Sequence, residues 1–397
     1  MAYAVAVPMR RYVIWTTGAQ CAIQPVGKDD SIMAKQAAFS GSAVLQREAY
    51  LAGPPASSKA QLREIENTQS IGGMRRPDKS IEHNPQYRLV GAKIAVALDQ
   101  FAEDYPEVKE YVVKMRSGVE VQGLGDELRK LLRRRTMEVL GADVGDHPVA
   151  PGPDADLIEA WGLATEDPDA SRILPGWMRS GAPIGLEGPI EVCGVFPPAC
   201  PQNASLDALK AFDCDLAGWA NYQSAEDEPD IVKGVLRKQE AAGHCKCFDS
   251  MEKLTSYLEV DTVVLSKLAL ISKTRADGSV SHRLIWDLLR SRVNESVRLS
   301  ERIILPRLQD VVEDSLELAR GSEHPVEYMV LDVADAFHNI PIQKAERRYC
   351  CGLVDGVYVA FEVLCMGGKA SPNIWGRFAA MLGRWTASLY QSTDFRN

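Results

Sequence analysis

The chain has 397 residues, 46% of them hydrophobic and 25% charged, which is ordinary for a globular protein of two or three domains. Its net charge of −9 argues against a protein that coats nucleic acid non-specifically, although acidic and basic side chains nearly balance over residues 251–397. No apolar run reaches the ~18 residues of a membrane span, and the start lacks the order of a signal peptide. We therefore expect an intracellular protein of the cytoplasm or nucleus that is not secreted and has no membrane partner.

The nine cysteines are scattered along the chain, as is common in a reducing compartment. Only the "HCKC" stretch, His244–Cys247, has the composition of a metal-ligand cluster. Zinc sites usually need a second pair of ligands at a matching distance, and none follows. We favour the interpretation that these residues come together by chance at the end of a helix and do not bind a metal.

The N-terminal part divides into three segments of different composition. Residues 1–80 are rich in Ala, Ser, Gly and Gln and predict a poorly ordered segment. Residues 81–140 carry apolar side chains three and four positions apart, which predicts a helical region of unknown role. Its basic run Arg133–Arg135 could contact phosphate or, as we favour, form a solvated helix face. Residues 141–184 mix Pro, Asp and Gly densely and predict a linker without regular structure.

After the lead-in "GAPIGLEGPIEVCGVFPP", a helix capped by Ser224 is predicted, and from Val260 the pattern changes to strands. Apolar runs on both sides of an Asp-Gly step predict two hairpins, with turns at Asp277-Gly278 and Asp355-Gly356. Amphipathic helices are predicted between the hairpins and after the second one. Strands and helices that alternate irregularly are typical of an α+β fold.

One acidic position stands out, because Tyr328–Leu331 predicts a buried strand that ends directly at Asp332. A carboxylate at a strand end can bind Mg²⁺, which prefers oxygen ligands and completes its shell with water or substrate phosphates. The alternative is that Asp332 caps the turn that follows.

Four blocks in order support the first interpretation: "KLALISKTRADGSVSHRLIWDLLRSRVN", "ILPRLQDVVEDSL", "LDVADAFHNIPI" and "YVAFEVLCMGGKASPNIW". Their order and spacing resemble the fingers and palm of retroelement reverse transcriptases across residues 185–397. The resemblance implies an α+β polymerase fingers–palm, an incomplete right-hand palm preceded by a mainly α-helical N-terminal region. It also implies RNA-directed DNA synthesis from deoxynucleoside triphosphates on a primed RNA or DNA template.

The resemblance assigns roles in the third block. Asp332 and the backbone carbonyl of Val333 are the expected ligands of two Mg²⁺ ions, which in this chemistry lie about 3.5–4 Å apart. Asp335 and Ala336 are expected to offer backbone N–H groups to the triphosphate. Phe337 is expected to fill the space of a 2′-hydroxyl and so favour deoxynucleotides; the alternative is an ordinary core aromatic.

The first and fourth blocks are expected to bind the rest of the nucleotide. Lys273 and Arg283 match positions that grip the β- and γ-phosphates, with Arg275 as an alternative to Lys273 and solvated hairpin charges as the competing explanation. Met366 and Gly367 match the loop that contacts the template base and the sugar. Many family members have a polar residue at the position of Met366, which we interpret as subgroup variation.

Three more residues of the first block, Asp287, Arg290 and Asn294, resemble those that brace the fingers against the palm and template. In the fourth block, Gly368 permits close backbone approach, and Ser371-Pro372 is expected to open a helix.

The family also carries a second catalytic block, x-Asp-Asp, and counting from Pro372 places it at or just past Asn397. The only acid after Pro372 is Asp394, which has no acidic neighbour. We therefore expect an incomplete two-ion site and no polymerase activity from these residues alone.

Three alternatives remain open at the sequence level. An RNA-dependent RNA polymerase shares the palm, although Phe337 argues against it. A non-catalytic nucleic-acid-binding relic of a palm would bind RNA in a salt-dependent way without needing Mg²⁺ or Asp332. A capsid-like N-terminal module is the third, and the lack of a zinc knuckle gives it little support. The sequence does not indicate an oligomeric state.

Overall fold

The computed structural model describes most of the chain from residue 84 onward. The described ranges are 84–116, 123–145, 152–194, 196–199, 218–275, 278–303 and 333–389, with positions 312, 315–316 and 319–320 and the backbone of three short strands. The predicted segment 1–80, apart from one of these strands, and Asp332 lie outside the described residues, as does nearly all of the helix predicted between the hairpins.

The architecture is mixed α+β, as the sequence predicts at this coarse level. The α-helices are α1 (Pro85–Asp104), α2 (Pro106–Arg116), α3 (Asp126–Leu140), α4 (Ala155–Thr165), α5 (Ile173–Ser180), α6 (Gln223–Glu226), α7 (Pro229–Ala241), α8 (Met251–Leu258), α9 (Val293–Ser296) and α10 (Ser371–Ser388). The strands are β1 (Tyr12–Trp15), β2 (Cys245–Phe248), β3 (Lys267–Thr274), β4 (Val280–Asp287), β5 (Glu327–Val330), β6 (Cys351–Val354), β7 (Val357–Phe361) and β8 (Phe395–Arg396). None of the described helices is long and apolar enough to cross a membrane.

The strands form three small sheets. β3 and β4 make an antiparallel hairpin, and β2, β7 and β6 pair antiparallel in that order. β1 pairs in parallel with β5 on one side and β8 on the other. The turn between β6 and β7 has positive φ at Asp355 (46°) and Gly356 (75°), the backbone of a type I′ turn. Both predicted hairpins are confirmed.

The helical prediction for residues 81–140 is confirmed as α1, α2 and α3. Asn84 begins α1, because its side chain accepts a hydrogen bond from the Gln86 N–H at 2.9 Å.

The prediction that Arg133–Arg135 forms a solvated helix face is wrong for Arg133, which is buried. Arg133 forms an ion pair with Asp154 at 2.5 Å and donates to the Val144 carbonyl at 2.5 Å.

The prediction that residues 141–184 lack regular structure is also wrong, because they contain α4 and α5. Asp154 caps α4 by accepting from the N–H groups of residues 156 and 157, at 3.1 and 3.0 Å. Pro175 lies in the first turn of α5, where N–H groups need no partner within the helix. The two helices bury Trp161 and Leu174 completely, in the same core as the hairpin side chain Trp286.

The helix predicted with a Ser224 cap is divided into α6 and α7. The break lies at residues 227–228, directly before Pro229, which restricts the residue preceding it. Ser224 does not cap α7, because its hydroxyl accepts from the Leu270 N–H at 3.1 Å and so joins α6 to β3.

Two buried ion pairs join α10 to the loop between α4 and α5. Arg377 forms a two-point pair with Asp169, and both side chains are fully buried. Arg384 pairs with Asp167 at 2.8 Å, and the Tyr87 hydroxyl donates to the same carboxylate at 2.8 Å. Burial raises the pKa of Asp167, but Arg384 and the hydrogen bonds outweigh burial and leave that pKa below its usual value. These acids belong to the stretch with linker-like composition.

The lead-in at residues 181–198 packs against the segment that follows β5. The buried carboxylate of Glu346 accepts hydrogen bonds from the backbone N–H groups of Leu186 and Glu187, both at 2.7 Å. The Ala182 N–H donates to the Pro341 carbonyl at 2.7 Å. A loop without regular structure is therefore fixed by one buried acid and by backbone bonds.

We predict that Asp169→Ala lowers the free energy of unfolding by about 3–5 kcal/mol, because it leaves the Arg377 guanidinium buried without a counter-charge. Chemical denaturation measures the change. The matched control is Arg172→Ala, which breaks the exposed Arg172–Glu191 pair and should cost about 0–1 kcal/mol. The double variant Asp169→Leu with Arg377→Met should recover most of the loss, and equal costs for the buried and exposed single variants would contradict the prediction.

Candidate functional site

The turn after β5 carries three of the predicted nucleotide-binding residues. Asp335 is exposed and has φ 50°, in the left-handed region. It opens a 3₁₀-helix at Ala336–Asn339. The Asn339 side chain donates to the carbonyls of Ala334 (2.9 Å) and Asp335 (3.2 Å), which holds the strained residue in place.

Phe337 lies half-buried in this turn and packs against the main hydrophobic core, while Ala336 and Val333 are also half-buried. One side of the Phe337 ring is therefore fixed by packing. Both a rigid steric gate and an ordinary core aromatic would pack in this way, so the contact does not distinguish between them.

The next residue, His338, contacts two rings from other parts of the chain. Its ring centroid lies 4.8 Å from that of His244 and 5.9 Å from that of Phe361. Burial lowers the pKa of His338, His244 lowers it further, and Asp335 opposes this, with a net fall. Burial likewise lowers the pKa of His244. The sequence gives no signal for this pairing, because the two histidines are far apart along the chain.

The β3–β4 hairpin presents the predicted cations on one face. Its register places Lys273 opposite Ser281 and Arg283 opposite Ile271, so both cations project from the same side. The opposite side is buried, through Leu268, Leu270, Leu284 and Trp286. Lys273, Arg275 and Arg283 are exposed, and none makes an ion pair or a side-chain hydrogen bond with the described residues. Arg275 therefore stays an alternative to Lys273.

The loop between β7 and α10 contacts the base of the hairpin. The Met366 carbonyl accepts from the Trp286 N–H at 3.4 Å. Gly367 has φ 102°, and a Cβ added there would lie 2.4 Å from the Trp286 carbonyl oxygen. Only glycine permits this approach. The Ser371 hydroxyl donates to the Cys365 carbonyl at 2.9 Å, which ties the loop to the start of α10.

Asn294 braces this loop. Its side chain donates to the Gly367 carbonyl at 2.8 Å and accepts from the Lys369 N–H at 2.8 Å. Asp287 accepts from the hydroxyl of Tyr222, which is distant in sequence, and from the Arg290 N–H at 3.0 Å. Of the three predicted bracing residues, Asn294 is the one whose side chain reaches the glycine loop in these hydrogen bonds.

Hairpin, turn and loop meet around two aromatic rings. Trp286 of β4 packs edge-on against Phe361 of β7, with centroids 4.8 Å apart, and Phe361 contacts His338 of the turn. Trp286 also contacts the loop through the backbone bond to Met366. The fold thus joins three blocks that are separate in sequence, while Lys273 and Arg283 lie further along the hairpin.

Potential metal ligands do not cluster in the described part of the chain. Among the described residues, no group of three or more His, Cys, Asp or Glu is placed to hold a metal ion. Cys245 and Cys247 of the "HCKC" stretch lie in β2 and not at the end of a helix. In comparisons with known proteins, no family model matches the chain, and no curated protein matches it.

We predict that Gly367→Ala destabilises the fold by about 2 kcal/mol or more, because the unfavourable positive φ is joined by the contact with the Trp286 carbonyl. Thermal or chemical denaturation measures the loss. Gly278→Ala is the matched control, since Gly278 has φ 81° but a Cβ added there would meet nothing within 4 Å, and it should cost about 1 kcal/mol. Similar losses in the two variants would show that the close approach is not important.

Proposed function

We propose that residues 185–397 form the fingers and part of the palm of a retroelement reverse transcriptase, and that the chain binds a deoxynucleoside triphosphate with Mg²⁺ beside a primed RNA or DNA template. The observation that carries the proposal is the meeting of hairpin, turn and glycine loop around Trp286 and Phe361. These three segments contain the residues to which the family resemblance assigns nucleotide contacts. A common location is what a single binding site requires.

The charge of the hairpin face supports a polyanionic ligand. Lys273 and Arg283 share an exposed face and are not neutralised by carboxylates of the described residues. A guanidinium and an ammonium in this arrangement can bind phosphate oxygens, the first by a two-point contact and the second as a point charge. In the proposed complex they bind the β- and γ-phosphates, and the backbone N–H groups of Asp335 and Ala336 donate to the triphosphate.

Oxygen donors around residue 332 suit Mg²⁺. Strand β5 ends at Val330 and the described chain resumes at Val333, so Asp332 is outside the described residues; its carboxylate and the Val333 carbonyl are the oxygens that we propose as ligands. Carboxylate and carbonyl oxygens are the ligands that this ion prefers, and they would hold it together with substrate phosphates. When bound, the ion supplies neutralisation of phosphate charge during nucleotidyl transfer.

The 397 residues contain no x-Asp-Asp block after Asp332, so nucleotide binding is a more direct test than primer extension. A polymerase palm of the proposed kind binds Mg-dATP, whereas a nucleic-acid-binding relic binds RNA without dependence on Mg²⁺ or nucleotide.

We expect Lys273→Ala and Arg283→Ala each to weaken binding of Mg-dATP by about 10- to 100-fold, because each removes a charge-assisted contact worth about 1.5–3 kcal/mol. Isothermal titration calorimetry with and without Mg²⁺ measures the affinities. The control is Lys238→Ala, which removes an exposed lysine of α7 outside the site and should leave the affinity unchanged. Binding that is equally sensitive to all three substitutions would be non-specific and would refute the proposal.

Phe337→Ala should narrow the preference for dATP over ATP, because it removes the ring proposed to occupy the space of the 2′-hydroxyl. The dissociation constant of ATP divided by that of dATP should fall by about tenfold, mainly through tighter binding of ATP. Phe248→Ala is the matched control, since Phe248 is a half-buried aromatic of a second, smaller core. An unchanged ratio in a folded Phe337→Ala protein would assign this ring to packing alone.

A further inference from the structure

Two histidine rings are in contact where the turn that carries Asp335 and Phe337 meets the start of β2. The rings of His338 and His244 are 4.8 Å apart, inclined at 40°, and the His338 side chain is only 12% exposed. His244 comes directly before β2, and its backbone bonds to residues 239 and 362 fix its position between α7 and β7. The pair therefore joins the turn to a rigid part of the fold.

The charged groups near this pair are few among the described residues. The Asp335 carboxylate lies 3.9 Å from Nδ1 of His338. On the neighbouring elements, Glu362 is engaged by Arg347 at 2.8 Å, and Glu240 accepts from the Cys247 N–H at 2.8 Å. One exposed carboxylate thus faces two imidazoles, and it cannot compensate both of them if both carry a proton.

The short helix connects His338 to the residues proposed to bind nucleotide. The Ile340 N–H donates to the Phe337 carbonyl at 3.1 Å, and the Asn339 N–H donates to the Asp335 carbonyl at 3.2 Å. His338 lies between these bonded positions, so displacement of its ring would loosen both bonds. Asp335, at φ 50°, depends on such bonds to keep its strained backbone.

We propose that His338, in ring contact with His244, is a positioning residue that holds the Asp335–Asn339 turn in its nucleotide-binding geometry only while both imidazoles are neutral. The effect on nucleotide affinity rests on the proposed function. The effect on the stability of the turn rests on the ring contacts alone. This role makes nucleotide affinity and sugar selection sensitive to pH through residues that belong to none of the metal or phosphate contacts.

The sign of the effect follows from the pKa values. Both histidines have a pKa below the usual 6.5 in the folded protein, so the unfolded or opened turn binds protons more readily. Above pH 6.5 both rings are neutral and the ring contact is intact. As the pH falls below 6.5, protonation favours separation of the rings and opening of the turn.

The structural test requires no nucleotide. Hydrogen exchange should show that the protection factor of the Ile340 amide falls between about pH 7.5 and pH 5.5 in the wild type. His338→Phe keeps an aromatic ring but carries no proton, and it should keep that protection over the same range. In His244→Phe, histidine NMR should show a higher pKa for His338, because a like charge has been removed. Loss of protection that is the same in wild type and His338→Phe would overturn the proposal.

The nucleotide test uses the same variants. Between about pH 7.5 and pH 5.5 the affinity of the wild type for Mg-dATP should fall, and this fall should be about tenfold larger than that of His338→Phe. Over the same range the preference of the wild type for dATP over ATP should narrow. Ionisation of the triphosphate affects every variant equally. His282→Gln removes a histidine outside the pair and should keep the wild-type pH profile. Parallel profiles for wild type and His338→Phe, or a rise in wild-type affinity at acid pH, would overturn the positioning role.

The two proposals fail in different ways. If the wild type binds no Mg-dATP at any pH, the proposed function is wrong, while the protection factor of Ile340 still decides whether the histidine pair holds the turn. If Mg-dATP binds but with no difference between wild type and His338→Phe, the proposed function stands and the positioning role is refuted.

Discussion

The buried ion pairs between α10 and the loop at residues 167–169 position much of what surrounds the candidate site. Removing two arginines and two carboxylates from water is costly, and the cost is offset only when both members of each pair are in register. That requirement fixes the rotation and the position of α10 along its axis. Since the Ser371 hydroxyl at the start of α10 holds the Cys365 carbonyl, the same pairs also determine where the glycine loop lies. A stacked contact between Trp161 and Trp385, with centroids 5.3 Å apart, strengthens this junction.

Buried carboxylates have a second use in this protein, which is to organise loops that form no regular structure. Glu346 accepts from three backbone N–H groups at residues 184–187, and Glu301 accepts from those of Cys193 and Gly194. Each acid thus satisfies donors that neither a helix nor a sheet would satisfy. In this way the lead-in is held against the segment after β5. The loops around the candidate site are thus fixed by buried acids, whereas the cations of the hairpin are exposed.

The candidate site combines one rigid part with one free part. Trp286, Phe361 and His338 are in contact and are held by the core, while the cations at 273 and 283 extend into solvent without partners in the described chain. Such an arrangement suits a ligand whose flat or apolar part contacts the fold and whose charged part is bound by exposed side chains. A nucleoside triphosphate has this division between base, sugar and phosphates.

Local patterns in the sequence determined the helices of residues 85–140 and both hairpins, because apolar periodicity and Asp-Gly turns act over a few residues. They did not determine residues 141–184, where the same Asp and Pro that favour loops instead cap helices and pair with distant arginines. The roles that the family resemblance assigns to Asn294 and Gly367 stay predictions, and the hydrogen bond between these two residues is a finding of the tertiary structure. Only the tertiary structure decided the burial of Arg133 and the pairing of His244 with His338. Those depend on which distant segments pack together, and no short-range pattern carries that information.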